Sequence, residues 1–151
     1  MNLVIDIGNT RSKIGLFQEN TLVEQAIWTD WTLADLLHYG NQVGARNVLF
    51  STVAAPDPGM AEALEDHFNV LELTHETKLP FRNLYQTPKT LGKDRLAGVA
   101  GAQALYPGNN CLVVDCGTCI KYDLITAEAE YRGGNIAPGV RMRIQAMHHF
   151  T

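Results

Sequence analysis

One pattern occurs twice in this chain. Leu3-Val4-Ile5 runs as a short apolar strand into Asp6-Ile7-Gly8-Asn9-Thr10, and Ile14-Gly15-Leu16-Phe17 leaves it. Leu112-Val113-Val114 runs in the same way into Asp115-Cys116-Gly117-Thr118, one residue shorter before its threonine, and Ile120 to Ile125 leaves that. Each copy reads as a strand, a tight acidic turn and a returning strand. A single turn of this kind is ordinary, because Asp, Gly, Asn and Thr all favour turns for conformational reasons. Two of them, each after an apolar strand, mark an internal repeat and require units built on the same hairpin. Glycine in the turn lets the backbone come close to a ligand. Turn amides and the Thr10 hydroxyl offer donors, and Asp6 offers an anionic oxygen to a divalent cation, so the turn suits a nucleotide's phosphates with magnesium. Two such hairpins facing each other would clamp a phosphate chain from both sides.

The chain between the copies alternates. Thr21 to Thr29 reads as a third strand. Thr32, with Asp35 three residues on, reads as a helix N-cap, although the usual partner there is Glu or Gln. Leu33, Leu36 and Leu37 give that helix its apolar face, and Gly40 suits its stop. Val48-Leu49-Phe50 is a short buried strand. Asp57-Pro58 starts a second helix with proline at its first position, carrying Met60, Leu64 and Phe68 as a stripe. Val70 to Leu73 is the next strand. Hairpin strands followed by helix, strand, helix and strand predict an α/β layer with a mixed sheet.

From His75 to Gly92, with Pro80 and Pro88, no period is visible, and a loop of that length is commonly functional. A helix then runs from about Gly92 to Leu105. It contains Gly98 and Gly101, each costing about 1 kcal/mol against alanine, which predicts close packing within the domain or across a subunit interface. Pro107-Gly108 ends it. Gly133-Gly134 and Pro138-Gly139 bracket a turn-rich stretch, and Val140 to Phe150 starts a further helix with Ile144 and Met147 as apolar anchors.

Composition narrows the function classes. A chain of 151 residues, 46% hydrophobic and 19% charged, is an ordinary globular one. A net charge of −4 gives no attraction to nucleic acid or an anionic membrane surface. No apolar run approaches the ~18 residues that span a bilayer, and the N-terminus lacks the basic region of a secretory signal. A cytoplasmic protein is expected. The three cysteines, Cys111, Cys116 and Cys119, are odd in number and clustered, a poor disulfide framework. Cys116-x-x-Cys119 has the spacing of redox and zinc sites, but no second such pair accompanies it, and packing along a strand is the expected role.

Four motifs in order, Asp6-Ile7-Gly8-Asn9-Thr10, Gly92-Lys93-Asp94-Arg95, Asp115-Cys116-Gly117-Thr118 and Gly133-Gly134-Asn135-Ile136-Ala137-Pro138-Gly139, resemble those of type III pantothenate kinase, a branch of the actin, sugar kinase and Hsp70 ATPase superfamily. The resemblance covers residues 2 to about 147. It implies a ribonuclease H-like (actin-like ATPase) α/β fold, with one full domain at 1–109 and the beginning of a second, related one at 110–151. It implies transfer of the γ-phosphoryl of ATP to the hydroxyl of pantothenate, giving 4′-phosphopantothenate, the first step of coenzyme A biosynthesis. A non-catalytic nucleotide-binding regulator of the same fold, a transcriptional accessory protein, is the alternative. Family members are longer, with a second domain matching the first, so the repeat is begun here and not completed.

Carried across by motif, the resemblance places ATP on Asp6, Ile7, Gly8, Asn9, Thr10, Arg11, Ser12, Lys13 and Thr118. Asp6 would position Mg2+, and Asp115 would bind a monovalent cation, K+ or NH4+. Pantothenate would meet Tyr85, Gly92, Lys93, Asp94 and Arg95, with Asp94 as general base, in a homodimer whose partner subunit completes the pocket. The residues themselves leave alternatives open. Asp94 sits at a helix start, where a carboxylate caps the helix or, stabilised in its charged form, accepts a proton. Arg95 either pairs with a substrate carboxylate or is a solvated first-turn charge. Lys13 either contacts phosphate or is exposed on its strand, and Tyr85 either contacts substrate or is a packed loop aromatic. The glycine-rich stretch from Gly133 either lies near the nucleotide or is a plain loop. Cys119 and Lys121 depart from the family pattern after the second Gly-Thr, which bears on the cation and nucleotide contacts.

Overall fold

The computed structural model describes residues 1–8, 11–52 and 59–150. Asn9 and Thr10, and the expected helix start at Asp57-Pro58, lie outside the described residues. The chain packs as two compact units, Met1–Thr77 and Lys78–Thr151.

In the first unit, β1 (Asn2–Ile7), β2 (Ser12–Gln18) and β3 (Thr21–Trp28) form an antiparallel meander, while β4 (Asn47–Thr52) and β5 (Asn69–Glu72) add in parallel on the other side of β1. The order is β3-β2-β1-β4-β5, the mixed sheet that the alternation predicts. Leu3 and Ile5 on β1, Ile14 and Leu16 on β2, and Val48 and Phe50 on β4 all point inward at period two. They meet Leu36 of helix α1 (Leu33–Gln42), Met60 and Leu64 of helix α2 (Met60–Glu65), and Phe68. Each such side chain, fully buried, contributes about 1.5–3 kcal/mol.

Helix α1 begins at the Thr32 cap, with Asp35 in the place of the usual Glu. The Asp35 carboxylate accepts from the Thr32 backbone N–H at 2.8 Å, and the Thr32 hydroxyl accepts from the Asp35 N–H at 3.3 Å. The expected stop at Gly40 is displaced. The helix continues to Gln42 and ends at Val43-Gly44, where Gly44 takes φ +63°. Gly40 is instead a packing position, because a Cβ there would lie 2.7 Å from Cζ of Phe68.

In the second unit, β7 (Cys111–Cys116), β8 (Cys119–Ile125) and β9 (Glu130–Pro138) form a second antiparallel meander, with β6 (Arg82–Asn83) parallel to β9. The order β9-β8-β7 reproduces β3-β2-β1, so the repeat legible in the motifs is a repeat of topology. Helix α3 (Lys93–Leu105) packs on β7 and β8. Its Leu96 and Val99 join Phe81, Leu91, Ile125 and Tyr131 in a separate core. The compact units divide at 77/78, and α3 packs on the sheet that follows it.

Three expectations change here. The stretch from Gly133 to Pro138 is not a turn-rich loop but most of β9, paired residue by residue with β8, with Lys121 opposite Ile136 and Tyr122 opposite Asn135. Of the two readings of the α3 glycines, packing within the unit is not what is found, which leaves packing across a subunit interface: a Cβ at Gly101 would meet nothing within 4 Å, and one at Gly98 would make only an ordinary 3.5 Å contact with Val113. Helix α4 (Val140–Phe150) forms as expected, but Ile144 and Met147 are exposed rather than anchoring it. The long segment from His75 holds β6 and a single 3-10 turn at Pro88–Thr90.

Candidate functional site

In the first unit the parallel and antiparallel neighbours of β1 converge on Asp6. It lies opposite Lys13 of β2 and opposite Ser51 of β4 in strand register. The Ser51 hydroxyl donates to Asp6 Oδ1 at 3.1 Å, and Lys13 Nζ stands 3.8 Å from Oδ2. The turn after β1 is closed by the Gly8 N–H donating to the Arg11 carbonyl at 3.2 Å. Ser12 is buried, and its hydroxyl accepts from the Trp31 indole N–H at 2.8 Å. Arg11 and Lys13 are exposed, and Ile7 and Gly8 half-buried. The structure thus gathers Asp6, Gly8, Arg11, Ser12 and Lys13 at one end of the sheet. The calls on Asn9 and Thr10 lie outside the described residues.

In the second unit the corresponding hairpin faces a helix. Asp94 stands in the first turn of α3, two residues after the N-cap residue Gly92 and one after Lys93. It does not cap as the N-cap residue does; its Oδ1 accepts the N–H of Arg95 at 2.9 Å, and its Oδ2 accepts from Lys121 Nζ. Lys121 also donates to Asp115 Oδ2 at 2.7 Å. One ammonium therefore joins two carboxylates, one from the helix and one from the neighbouring strand. The Lys121 side chain is only 16% exposed. Burial works against its charge, but its hydrogen bonds to Asp115 and Asp94 outweigh that and hold the ammonium above its ordinary pKa.

Arg95 turns the other way. Its guanidinium donates from Nη2 to Asp123 Oδ1 at 2.6 Å and from Nε to Oδ1 at 2.9 Å and Oδ2 at 3.1 Å. The Tyr131 hydroxyl donates to the same Oδ1 at 2.6 Å. Both charged side chains are nearly covered, 9% and 4% exposed. Arg95 is thus no solvated first-turn charge: in this structure its fork is taken by Asp123. Tyr85 stacks on Tyr131 with ring centroids 6.2 Å apart and lies 5.6 Å below the Arg95 guanidinium carbon. The phenol of Tyr131 is pushed well up, first by burial and then by its hydrogen bond to Asp123.

Thr118 stands exposed at the tip of the β7–β8 turn. The Gly117 N–H closes that turn on the Cys119 carbonyl at 2.9 Å, and the Gly139 N–H bonds the Thr118 carbonyl at 2.9 Å. A Cβ at Gly139 would run into the carbonyls of Gly117 and Thr118, so glycine is needed for β9 to end against this turn. Cys119 has its sulfur 3.9 Å from that of Met142, and Cys116 is exposed.

Sequence reasoning missed Asp123 and Tyr131 and left Lys121 as a departure. A signal was present. Lys121 and Asp123 share one face of β8, and Asp94 and Arg95 offer the opposite charges in the opposite order on α3. A positive–negative pair inside an otherwise apolar strand requires partners.

A family model for type III pantothenate kinase matches residues 2–151 of this chain. Among curated relatives, the type III pantothenate kinase of Phocaeicola vulgatus is 43% identical over 152 residues, covering 100% of this chain and 63% of its own length. Those of Christiangramia forsetii and Bacteroides fragilis strain YCH46 are 42% and 41% identical, with the same shares covered. The chain thus spans 63% of the length of these relatives. Among solved structures, the type II variant of the Aquifex aeolicus Ppx/GppA phosphatase is similar with a TM-score of 0.55 and 14% identity, over 99% of this chain and 55% of that one. A second Aquifex aeolicus Ppx/GppA structure gives 0.51 and 15%, over 93% and 52%. At such identities they show the fold alone, mixed sheets with helices of the actin-like ATPase kind.

Proposed function

The chain belongs to the type III pantothenate kinase family, and on that premise we propose that its protein phosphorylates the hydroxyl of pantothenate with ATP, yielding 4′-phosphopantothenate for coenzyme A biosynthesis. The observation that supports this most is the placement of Asp94. Its carboxylate is fixed by Lys121 on one oxygen and the Arg95 N–H on the other. Each carboxylate oxygen has a second lone pair, so a substrate hydroxyl can still give it a proton.

Phosphoryl transfer is mostly alignment and charge neutralisation. The first-hairpin residues Asp6, Ile7, Gly8, Asn9, Thr10, Arg11, Ser12 and Lys13 would hold the ATP phosphates, and Thr118 would contact ATP. Asp6 fits magnesium: its carboxylate is partly exposed at a strand end and braced by the Ser51 hydroxyl, and Mg2+ is commonly held by one or two carboxylates plus phosphate oxygens. When bound, that ion would neutralise phosphate charge. Asp94 would accept the hydroxyl proton as the phosphoryl group leaves ATP. Gly92, Lys93, Arg95 and Tyr85 would bound the pantothenate pocket, with Arg95 acting through its hold on Tyr85 and Asp123. A homodimer that completes this pocket and a cytoplasmic location belong to the same proposal. Among the described residues, no helix is long and apolar enough to cross a membrane.

The test is ATP turnover by the full-length protein, coupled to ADP detection, with and without pantothenate. Stimulation by pantothenate is expected; turnover indifferent to it contradicts the proposal.

A further inference from the structure

The family resemblance expects a free monovalent cation at Asp115, and the residues of the second unit do not fit one. Lys121 Nζ already stands 2.7 Å from Asp115 Oδ2 and bonds Asp94 Oδ2. The ammonium is compact, carries three donors and one positive charge, and sits on a side chain with 16% of its surface exposed. A metal cation placed between the same oxygens would meet that ammonium at close range, and like charges there repel strongly. Among the described residues no group of three His, Cys, Asp or Glu side chains is placed to hold a metal ion.

The strand register explains why the lysine is there. Asp115 and Lys121 are opposite each other across the β7–β8 hairpin, as Asp6 and Lys13 are across β1–β2. Cross-strand pairs of opposite charge are favourable. In the first hairpin the lysine stays outside, 3.8 Å away with more than half of its side chain exposed. In the second, α3 covers it and supplies Asp94 as another partner.

We infer that Lys121 is a tethered monovalent cation that bridges Asp115 and Asp94, offsets one of their two negative charges and positions Asp94, so that this protein needs no added K+ or NH4+. The inference rests on the reading of Asp94 as the base. Lys121 is a positioning residue here, acting on the reaction through Asp94.

The experiment compares wild type, Lys121→Ala and Lys121→Met in potassium, ammonium or tetramethylammonium chloride at equal ionic strength. Both melting temperature and pantothenate-dependent turnover of the full-length protein are read. Wild type is expected to behave alike in all three salts. Lys121→Ala opens a space for a small cation, so in tetramethylammonium its turnover falls about tenfold or more, and K+ or NH4+ restores both turnover and melting temperature. Lys121→Met fills the space without charge and is not restored. Wild type stimulated by K+ overturns the inference. So does a Lys121→Ala protein that ignores K+ and NH4+ in both readouts, or a Lys121→Met protein that responds as Lys121→Ala does. If no protein turns over pantothenate yet the melting temperatures follow the expected pattern, the kinase reading fails and the tethered cation stands.

Discussion

Arg95 and Asp123 form an ion pair at 2.6 Å with both side chains more than nine-tenths covered. Arg95 is the neighbour of Asp94 on α3, and Asp123 is two residues beyond Lys121 on β8. Two oppositely oriented ion pairs therefore lock the first turn of α3 to one face of β8, and they fix where the Asp94 carboxylate stands. Local structure alone would leave that turn free to rotate.

Breaking the buried pair should be costly. Asp123→Asn leaves the Arg95 guanidinium covered without a counter-charge and turns one of the two oxygens that accept from it into an amide donor. A loss of about 3–5 kcal/mol is expected, read by denaturant unfolding as a lowered midpoint. A loss below about 1 kcal/mol would place the pair in the class of solvated surface bridges.

Asp94→Asn keeps the shape of the side chain and an oxygen for Lys121 to bond, but it removes the basic carboxylate. Turnover should fall by about 10²–10⁴-fold, with the circular dichroism spectrum unchanged. Full activity in this variant would remove Asp94 from the chemistry.

The alkaline limb of stability should be set in part by Lys121 and Tyr131. Both are held above their ordinary values in the folded chain, so the folded state binds their protons more tightly than the unfolded state does. Their contribution is complete below the unfolded values, about 10 for both groups. It is lost as pH rises from there through the folded values. Melting temperature from these groups is therefore level between pH 7 and about 9.5 and falls above about 10. Tyr131→Phe should make that fall shallower; an identical slope would contradict the assignment.

Gly40→Ala opposes two effects. Alanine gains about 1 kcal/mol of helix propensity over glycine. Its methyl, however, would lie 2.7 Å from the Phe68 ring, and overpacking a core costs about 1–3 kcal/mol. Net destabilisation is expected in the wild type. In a Phe68→Leu background the same change should turn neutral or stabilising, as thermal melts of the four proteins would show.

Much of the fold was legible because it rests on local pattern. The apolar alternation of β1, the Thr32–Asp35 cap and the duplicated Asp-x-Gly turns each carry their structure in a few adjacent residues, and the mixed sheet and the repeated hairpin followed from them. The misses share a cause: they were settled by partners distant in sequence. Gly40 looked like a stop until Phe68 came to lie on it. The Gly133–Pro138 stretch looked like turns until β8 paired with it. The candidate site divides the same way. Asp6, Asp94 and Asp115 stand out by motif, whereas Asp123 and Tyr131 carry no motif and matter only because α3 folds back over β8. Lys121 was visible as a departure, but its bridge between two carboxylates required the register of one hairpin and the position of one helix together.

Asp94 is proposed as the base for phosphate transfer to pantothenate. Phosphorus NMR of the full-length protein with ATP, Mg2+ and pantothenate tests it most directly. A new phosphomonoester resonance that grows as the γ-phosphate of ATP declines, and that fails to grow with Asp94→Asn, is the predicted result. ATP consumed to inorganic phosphate alone, or a phosphomonoester formed equally well by Asp94→Asn, would contradict it.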